Sequence, residues 1–453
     1  MNGKKRVQER TKQIFIIILV VAVYAGVVSA MYAEVINTKI ITQKQDSELI
    51  EIHSIDTNIP FDEDNPIKVG IIHSKTGTLA ITEKPVIDSV LLAIDEINER
   101  GGILGRKVVP IVVDGRSDWD VFASEAEKLI LEEKVSAVFG GYTSASRKAM
   151  LPIFEKYDHL LFYPVQYEGL EQSPNIVYLG AAPNQQILPA ADWVVENLGT
   201  RIYLVGSDYI YPRSANEILK FRINELGGEI IGEEYRVLGE RDFTKIVEDI
   251  VETNPDVILH SVVGDSNLYF FKELRKQGIE PHNIPTMTVT MGEVELSYLQ
   301  DLKMEGDYAA WNYFQSVDLP ENHVFVKNFK DRYGSQSVIS DPMEAAYAGV
   351  FLYEKAVLKA NSDNVNDIRQ AIQGQTLAAP EGVIGVDPEN QHTFKIFRIA
   401  QITDKNIYKI IHSTEEPIAP IPYPKYKSQE DWNLFLKELY EGWNQNWSNL
   451  GDS

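Results

Sequence analysis

From Ile67 onward the apolar positions follow two alternating rhythms: short β-branched runs, and longer stretches with apolar residues at helical spacing. IKVGII (67–72), KVVPIVVDG (107–115) and VSAVFGG (135–141) read as strands. Between them, VIDSVLLAIDEINER (86–100), ended by Gly101-Gly102, and FASEAEKLILEEK (122–134) read as helices. Such alternation builds a parallel sheet covered by helices on both faces. The rhythm restarts after APNQQ (182–186), with strands at RIYLVGSD (201–208) and PDVILHSVVGD (255–265). Helices at SANEILKFRINELGG (214–228) and DFTKIVEDIVETN (242–254) lie between those strands. The chain therefore reads as an α/β protein of two similar lobes, each a doubly wound, mainly parallel sheet.

Two stretches fall outside this rhythm. Ile14–Ala33 runs for about 20 residues without a charge, enough to span a bilayer, behind Lys4, Lys5, Arg6, Arg10 and Lys12. Basic residues stay on the cytoplasmic side, which places the rest of the chain outside. Val28-Ser29-Ala30 also has the small residues of a signal-peptidase site, so residues 1–33 are expected to be a membrane anchor or a signal segment. Residues 34–65 read as a polar tether. Near the other end, the proline-rich PIAPIPYP (417–424) precedes Trp432, Phe435, Leu436, Leu439 and Trp443, which share one helical face. Ser428, three residues before Asp431, stands as the cap of that amphipathic helix, within 425–453. Such a helix packs back on the body or meets a membrane or partner.

Charge and composition then narrow the function. The chain has 453 residues and carries 43 basic against 66 acidic ones, a net charge of −23 that repels phosphate backbones and argues against nucleic-acid binding. It has no cysteine, which removes thiol nucleophiles, disulfides and Cys-based zinc sites. The eight histidines are scattered, and His73 and His260 at strand ends have no second histidine at ligand spacing, so no metal and no cofactor is expected. FDEDNP (61–66) lacks the acidic spacing and glycine of a calcium loop. A hydrolase would need one of these devices, so an enzyme is not expected.

Open parallel sheets bind ligands beyond the carboxyl ends of their strands. The loops there are HSKTGT, DGRSDWD, GGYTSAS, FYPVQYEG, GSDYIYP and VVGDSN, rich in Ser, Thr, Tyr and Asp and poor in Lys and His. They suit a small, neutral, polar ligand held by hydrogen bonds.

DGRSDWDVFASEAEKLI, FGGYTSASRKAMLPIFEK, LLFYPVQYEGLEQSPNIVYLGAAPNQQ, LVGSDYIYPRSANEI, GDSNLYFFKEL, YAAWNYFQSVDLPEN, DPMEAAYAGV and APEGVIGVDPENQHTFK occur in that order. Over Ile67–Pro424 the chain thereby resembles the urea-binding component of urea ABC transporters, a branch of the periplasmic binding proteins related to short-chain amide sensors. The resemblance implies two lobes joined by crossing strands: residues 66–185 with 316–380, and 186–315 with 381–424. It implies closure on urea or a small amide, and delivery to the permease subunits of an ABC transporter outside the cytoplasm. By resemblance to the amide-binding relatives, Tyr142, Ser144 and Tyr163 fall at ligand-contacting positions, while Val165 stands where those relatives carry a threonine. The family's lipid-modified cysteine is missing.

Urea has one carbonyl acceptor and two NH₂ donors, and each must find a partner in a closed site. Backbone N–H groups near Thr143 and Ser144, with the Ser144 hydroxyl, are expected to serve the carbonyl. Asp265 is the expected acidic acceptor from the second lobe, its alternative role being a helix cap. Tyr142, Tyr163 and Tyr209 or Tyr211 supply flat walls and phenolic oxygens, and Gln166 both donates and accepts. Arg147 and Arg213 are expected to be structural. An amide-binding receptor or sensor, and a receptor of the branched-chain amino-acid type, are the competing readings.

Overall fold

The computed structural model describes residues 62–451. The expected anchor or signal segment, 1–33, and the tether as far as residue 61 lie outside the described residues. Among the described residues no helix is long and apolar enough to cross a membrane.

The first lobe runs β1 (Asp62–His73), α1 (Ala80–Glu99), β2 (Arg106–Asp114), α2 (Trp119–Leu131), β3 (Val138–Gly140), α3 (Ser144–Lys156), β4 (Leu161–Tyr163) and β5 (Ile176–Tyr178). Its five strands are all parallel, in the order β2-β1-β3-β4-β5. Helices cover both faces, so consecutive residues such as Ile71 and Ile72 are both fully buried, which is why the strand reads as an unbroken apolar run.

The second lobe runs α4 (Ile187–Asn197), β6 (Arg201–Ser207), α5 (Ile210–Glu225), β7 (Glu229–Arg236), α6 (Thr244–Thr253), β8 (Val257–Ser261), α7 (Ser266–Lys276), β9 (Thr286–Thr288), α8 (Glu293–Ser297) and β10 (Tyr308–Trp311). The chain then returns to the first lobe as α9 (Pro320–Tyr333), α10 (Asp341–Ala360), α11 (Val365–Ile372) and the hairpin β11 (Thr376–Ala379) and β12 (Gly382–Gly385). It crosses once more to add β13 (Arg398–Ile402) and β14 (Tyr408–Ser413) antiparallel to β10. The resulting sheet has seven strands, ordered β14-β13-β10-β9-β8-β6-β7.

Three of the chain's passages between the lobes are tied together by one side chain. Asn312, on the second crossing, donates to Gln185 O on the first (3.1 Å) and to Ile396 O on the third (3.0 Å). The Arg398 guanidinium in turn donates to Asn312 O.

After β14 the chain passes back once more, and its proline-rich segment runs along the first lobe, where Pro422 O accepts from Leu170 N at 2.8 Å. The helix α12 (Gln429–Gly442) follows, its Ser428 cap accepting from Asp431 N. Its Trp432 is wholly buried edge-on to Phe221 of α5, so this helix packs back on the second lobe.

Candidate functional site

Strand order decides where the site lies. In the first sheet the order reverses between β1 and β3, and in the second between β6 and β8. At such a switch point the loops leave in opposite directions and open a crevice. The two crevices face each other, and the lobes touch across them. Gln166, after β4, donates to Val289 O, after β9, at 3.2 Å. Gly264, after β8, lies so close to the loop after β1 that a Cβ on it would stand 3.0 Å from Thr78 O.

The glycines of GGYTSAS are there for the same close approach. A Cβ on Gly140 would stand 2.0 Å from Ile72 O, and its φ of +148° favours glycine. The chain can then turn sharply into α3, whose N-cap is Thr143, its hydroxyl oxygen accepting from Ser146 N at 3.0 Å. Tyr142 is buried at the mouth, and its carbonyl accepts from the Tyr163 hydroxyl at 2.8 Å. Three of the four hydroxyl residues in this loop are therefore engaged with the loop's own backbone or with the neighbouring ion network, and Tyr142 faces the cleft.

Ser144 departs from the expectation that its hydroxyl serves the ligand. It donates to Glu168 Oε2 and accepts from Arg147 Nη1 (3.0 Å), inside a buried ionic cluster. Arg147 also pairs with Glu168 (2.9 Å) and Glu171 (2.8 Å), and Lys148 pairs with Glu171 (2.9 Å). The guanidinium lies between the rings of Tyr163 and Tyr167, 5.0 and 4.6 Å from their centroids. The two cations hold the Glu171 carboxyl down at about 2 against its burial. Two positive and two negative charges cancel, so the floor of the cleft carries no net charge.

Tyr209 and Tyr211 come to this floor from the start of α5. Burial raises the Tyr209 hydroxyl well above its usual pKa, and Tyr163, Glu168 and Tyr142 raise it further. Tyr211 is raised by burial, then by Glu168 and Tyr163, while Gln166 beside it lowers it. Tyr142, Ser144, Tyr163, Gln166, Tyr209 and Tyr211 are thus brought together from both lobes.

Asp265 has about a quarter of its side chain exposed, lies 3.8 Å from Arg241 and makes no capping hydrogen bond to α7, while its Oδ1 is buried without a partner. An expectation based on loop position alone missed the acids that do face the tyrosines. Burial pushes the Tyr142 hydroxyl up, and Glu295 of the second lobe and Glu83 of the first raise it further, while nearby Thr82 lowers it. Glu83 is wholly buried: its Oε2 accepts from Ser74 N (2.7 Å) and lies 3.3 Å from His73 Nδ1, while its Oε1 has no partner. Glu295 receives Gly292 N at 3.0 Å, and burial pushes its carboxyl up to about 7. Their sequence signals were present but local: Glu83 in the turn after the first strand's loop, and Glu295 three residues past Gly292.

The arrangement can enclose a small flat molecule between phenol rings. Buried acceptors without partners wait at Glu83 Oε1 and Gln166 Oε1, as does the Tyr211 hydroxyl. The first N–H groups of α3 supply donors. Arg213 at 3.6 Å over the Tyr235 ring, paired with Asp208, is structural.

The family model described as "Periplasmic binding protein domain" matches residues 67–429. The Leu/Ile/Val-binding protein homolog 6 of Brucella suis biovar 1 is 23% identical over 338 residues, covering 72% of this chain and 85% of that protein. A solute-binding protein of an ABC transporter from Rhodopseudomonas palustris HaA2, solved with p-hydroxybenzoic acid, superposes with a TM-score of 0.72 at 22% identity, over 77% of this chain and 97% of that one. LivJ of Streptococcus pneumoniae, solved with isoleucine, gives 0.69 at 22% identity, over 79% and 100%. With two lobes hinged on three crossings and a polar cleft between them, the chain belongs to the type I periplasmic binding proteins, the extracytoplasmic solute receptors of ABC transporters.

Proposed function

We propose that this receptor captures urea, or a short amide with the same donors, and presents it to its permease. The carrying observation is that the buried acceptor oxygens Glu83 Oε1 and Gln166 Oε1 have no partner, and neither does Asp265 Oδ1 of the second lobe. Each unpaired group costs roughly 1–3 kcal/mol, and an NH₂ group on the solute would recover that. Among the described residues the cations of the cleft floor, Arg147 and Lys148, are already held by Glu168 and Glu171. A carboxylate solute such as an amino acid or a benzoate would have to rely on α3 N–H groups alone. The ordered motifs shared with urea-binding components support the same reading. The uncharged Ile14–Ala33 run supports a membrane anchor, testable by whether the protein stays with membranes after alkaline extraction.

The test is a thermal-shift panel of urea, acetamide, isoleucine and 4-hydroxybenzoate. A solute at 100 times its Kd stabilises the folded state by about 2.7 kcal/mol, a shift of a few degrees. Urea is expected to give the shift at the lowest concentration, before its denaturing effect sets in. A shift with isoleucine or 4-hydroxybenzoate and none with urea or acetamide would overturn the proposal.

A further inference from the structure

Beyond α12 and beyond the matched family span, the chain turns back and lies across the seam between the lobes. Gln445 N donates to Tyr440 O at 2.9 Å, and the Trp447 ring packs on Tyr440 at 4.4 Å, which folds the segment over. On the second-lobe side, Trp447 O accepts from Ile210 N (3.0 Å), and Asn449 donates from its backbone to Asp208 O (2.9 Å) and from Nδ2 to Asp208 Oδ2 (2.8 Å). On the first-lobe side, Trp119 Nε1 donates to Ser448 Oγ at 2.9 Å, and Lys148 Nζ stands 5.1 Å over the Trp447 ring. Ser448 is 1% exposed and bridges to Tyr209, one of the cleft tyrosines. Asn446 Oδ1 accepts from both the Ser448 N–H and its hydroxyl, which fixes that hydroxyl to receive Trp119.

We infer that Gln445–Gly451 is a positioning element of the solute site: a strap that joins the two lobes over the cleft mouth and holds the closed form. The inference rests on geometry alone and holds whichever solute the cleft takes. The hydrogen bond and the cation–π contact on the first-lobe side come from Trp119 and Lys148, and the hydrogen bonds on the other side from Asp208 and Ile210. Rotation of the lobes about the Asn312 crossings must therefore break one set or the other. A seam cavity of about 250 Å³, walled by Thr78 and Trp119, by Val237 and Leu238, and by Ser448 and Leu450, shows all three parts meeting at one place. The strap adds one buried hydrogen bond and one cation–π contact to closure, so its loss should speed solute release roughly tenfold or more.

The experiment compares the full chain, a chain ending at Asn444, and Ser448→Ala in the full chain. The truncation keeps α12, and Ser448→Ala leaves both lobes untouched, so a folding failure in one is checked by the other. Because the chain has no cysteine, Glu133→Cys and Lys276→Cys, exposed on opposite lobes, accept spin labels uniquely. Interlobe distances are read without solute and with urea, and urea dissociation by stopped-flow tryptophan fluorescence. A shift of the truncated chain toward longer interlobe distances, with a smaller shift for Ser448→Ala, is the expected result, and faster dissociation accompanies it where urea binds. Identical distance distributions in the three chains, with and without urea, would overturn the inference. If urea leaves every chain unchanged, the urea reading fails, and the solute-free distances still decide the strap.

Discussion

Replacing Arg147 by methionine removes the centre of the cluster beneath the cleft. Glu168 then keeps only the Ser144 hydroxyl, whereas Glu171 keeps Lys148 at 2.9 Å and the Tyr178 hydroxyl at 3.0 Å. Breaking a buried ion pair from one side strands a charge and costs about 3–5 kcal/mol. Methionine recovers part of the lost contact with Tyr163 and Tyr167. The expected loss of stability is therefore about 3 kcal/mol or more, measured by guanidinium chloride unfolding, since urea is the candidate solute. Adding Glu168→Gln should restore part of it, because the stranded carboxylate is then neutral. Acid titration gives a second handle. The folded pKa of Glu171 lies at about 2, against 4.5 for an unperturbed glutamate. Its contribution is fully present above pH 4.5 and is lost as pH falls toward 2, on the order of 3 kcal/mol in all. Arg147 is the largest of the groups that lower it, so the variant should show a shallower loss over that interval. A loss below about 1 kcal/mol with an unchanged acid slope would refute the reasoning.

The other expectations concern binding. Glu83→Gln turns a two-oxygen acceptor into a mixed amide and should weaken urea binding by roughly 1.5–3 kcal/mol, more than Asp265→Ala, whose carboxylate is partly exposed beside Arg241; a larger effect of Asp265→Ala in calorimetry would reverse that ranking. Gly264→Ala places a Cβ 3.0 Å from Thr78 O at a residue with φ +64°, so it should hold the lobes apart and lower affinity for every solute without lowering secondary-structure content by circular dichroism. Glu295 has a folded pKa of about 7, so urea affinity should rise as pH climbs from 6 to 8 and this acceptor ionises; a flat profile over that window would remove Glu295 from the site. The same raised value means that Glu295 lowers stability as pH rises from 4.5 to 7, the opposite direction to Glu171.

Much of the fold could be read from the chain because buried parallel strands leave unbroken β-branched runs, as at Ile67–Ile72. Helix starts were harder. α1 begins at Ala80, six residues before the apolar rhythm at Val86, because its first turns carry Thr82, Glu83 and Pro85. α5 likewise begins at Ile210, through Tyr211 and Pro212, upstream of the expected Ser214. Those polar first turns are where the site lies, so periodicity was silent at Glu83 and at the entry of Tyr211. The tyrosines and Gln166 could be read because parallel topology places every such loop at one edge. The pairing of Arg147 with Glu168, 21 residues away, could not, since loop path and not spacing brings them together. The same applies to Glu295, which meets Tyr142 only across the cleft, and to the strap, whose partners Trp119 and Asp208 belong to different lobes.

The central claim is that the closed cleft selects a small neutral donor. Calorimetric titration with urea, acetamide, isoleucine and 4-hydroxybenzoate side by side tests it most directly. Saturable one-to-one binding of urea, weaker binding of acetamide, and none of either carboxylate is the expected result. One-to-one binding of a carboxylate with no heat from urea would contradict the account, and would move the recognition from Glu83 and Gln166 to the N–H groups of α3.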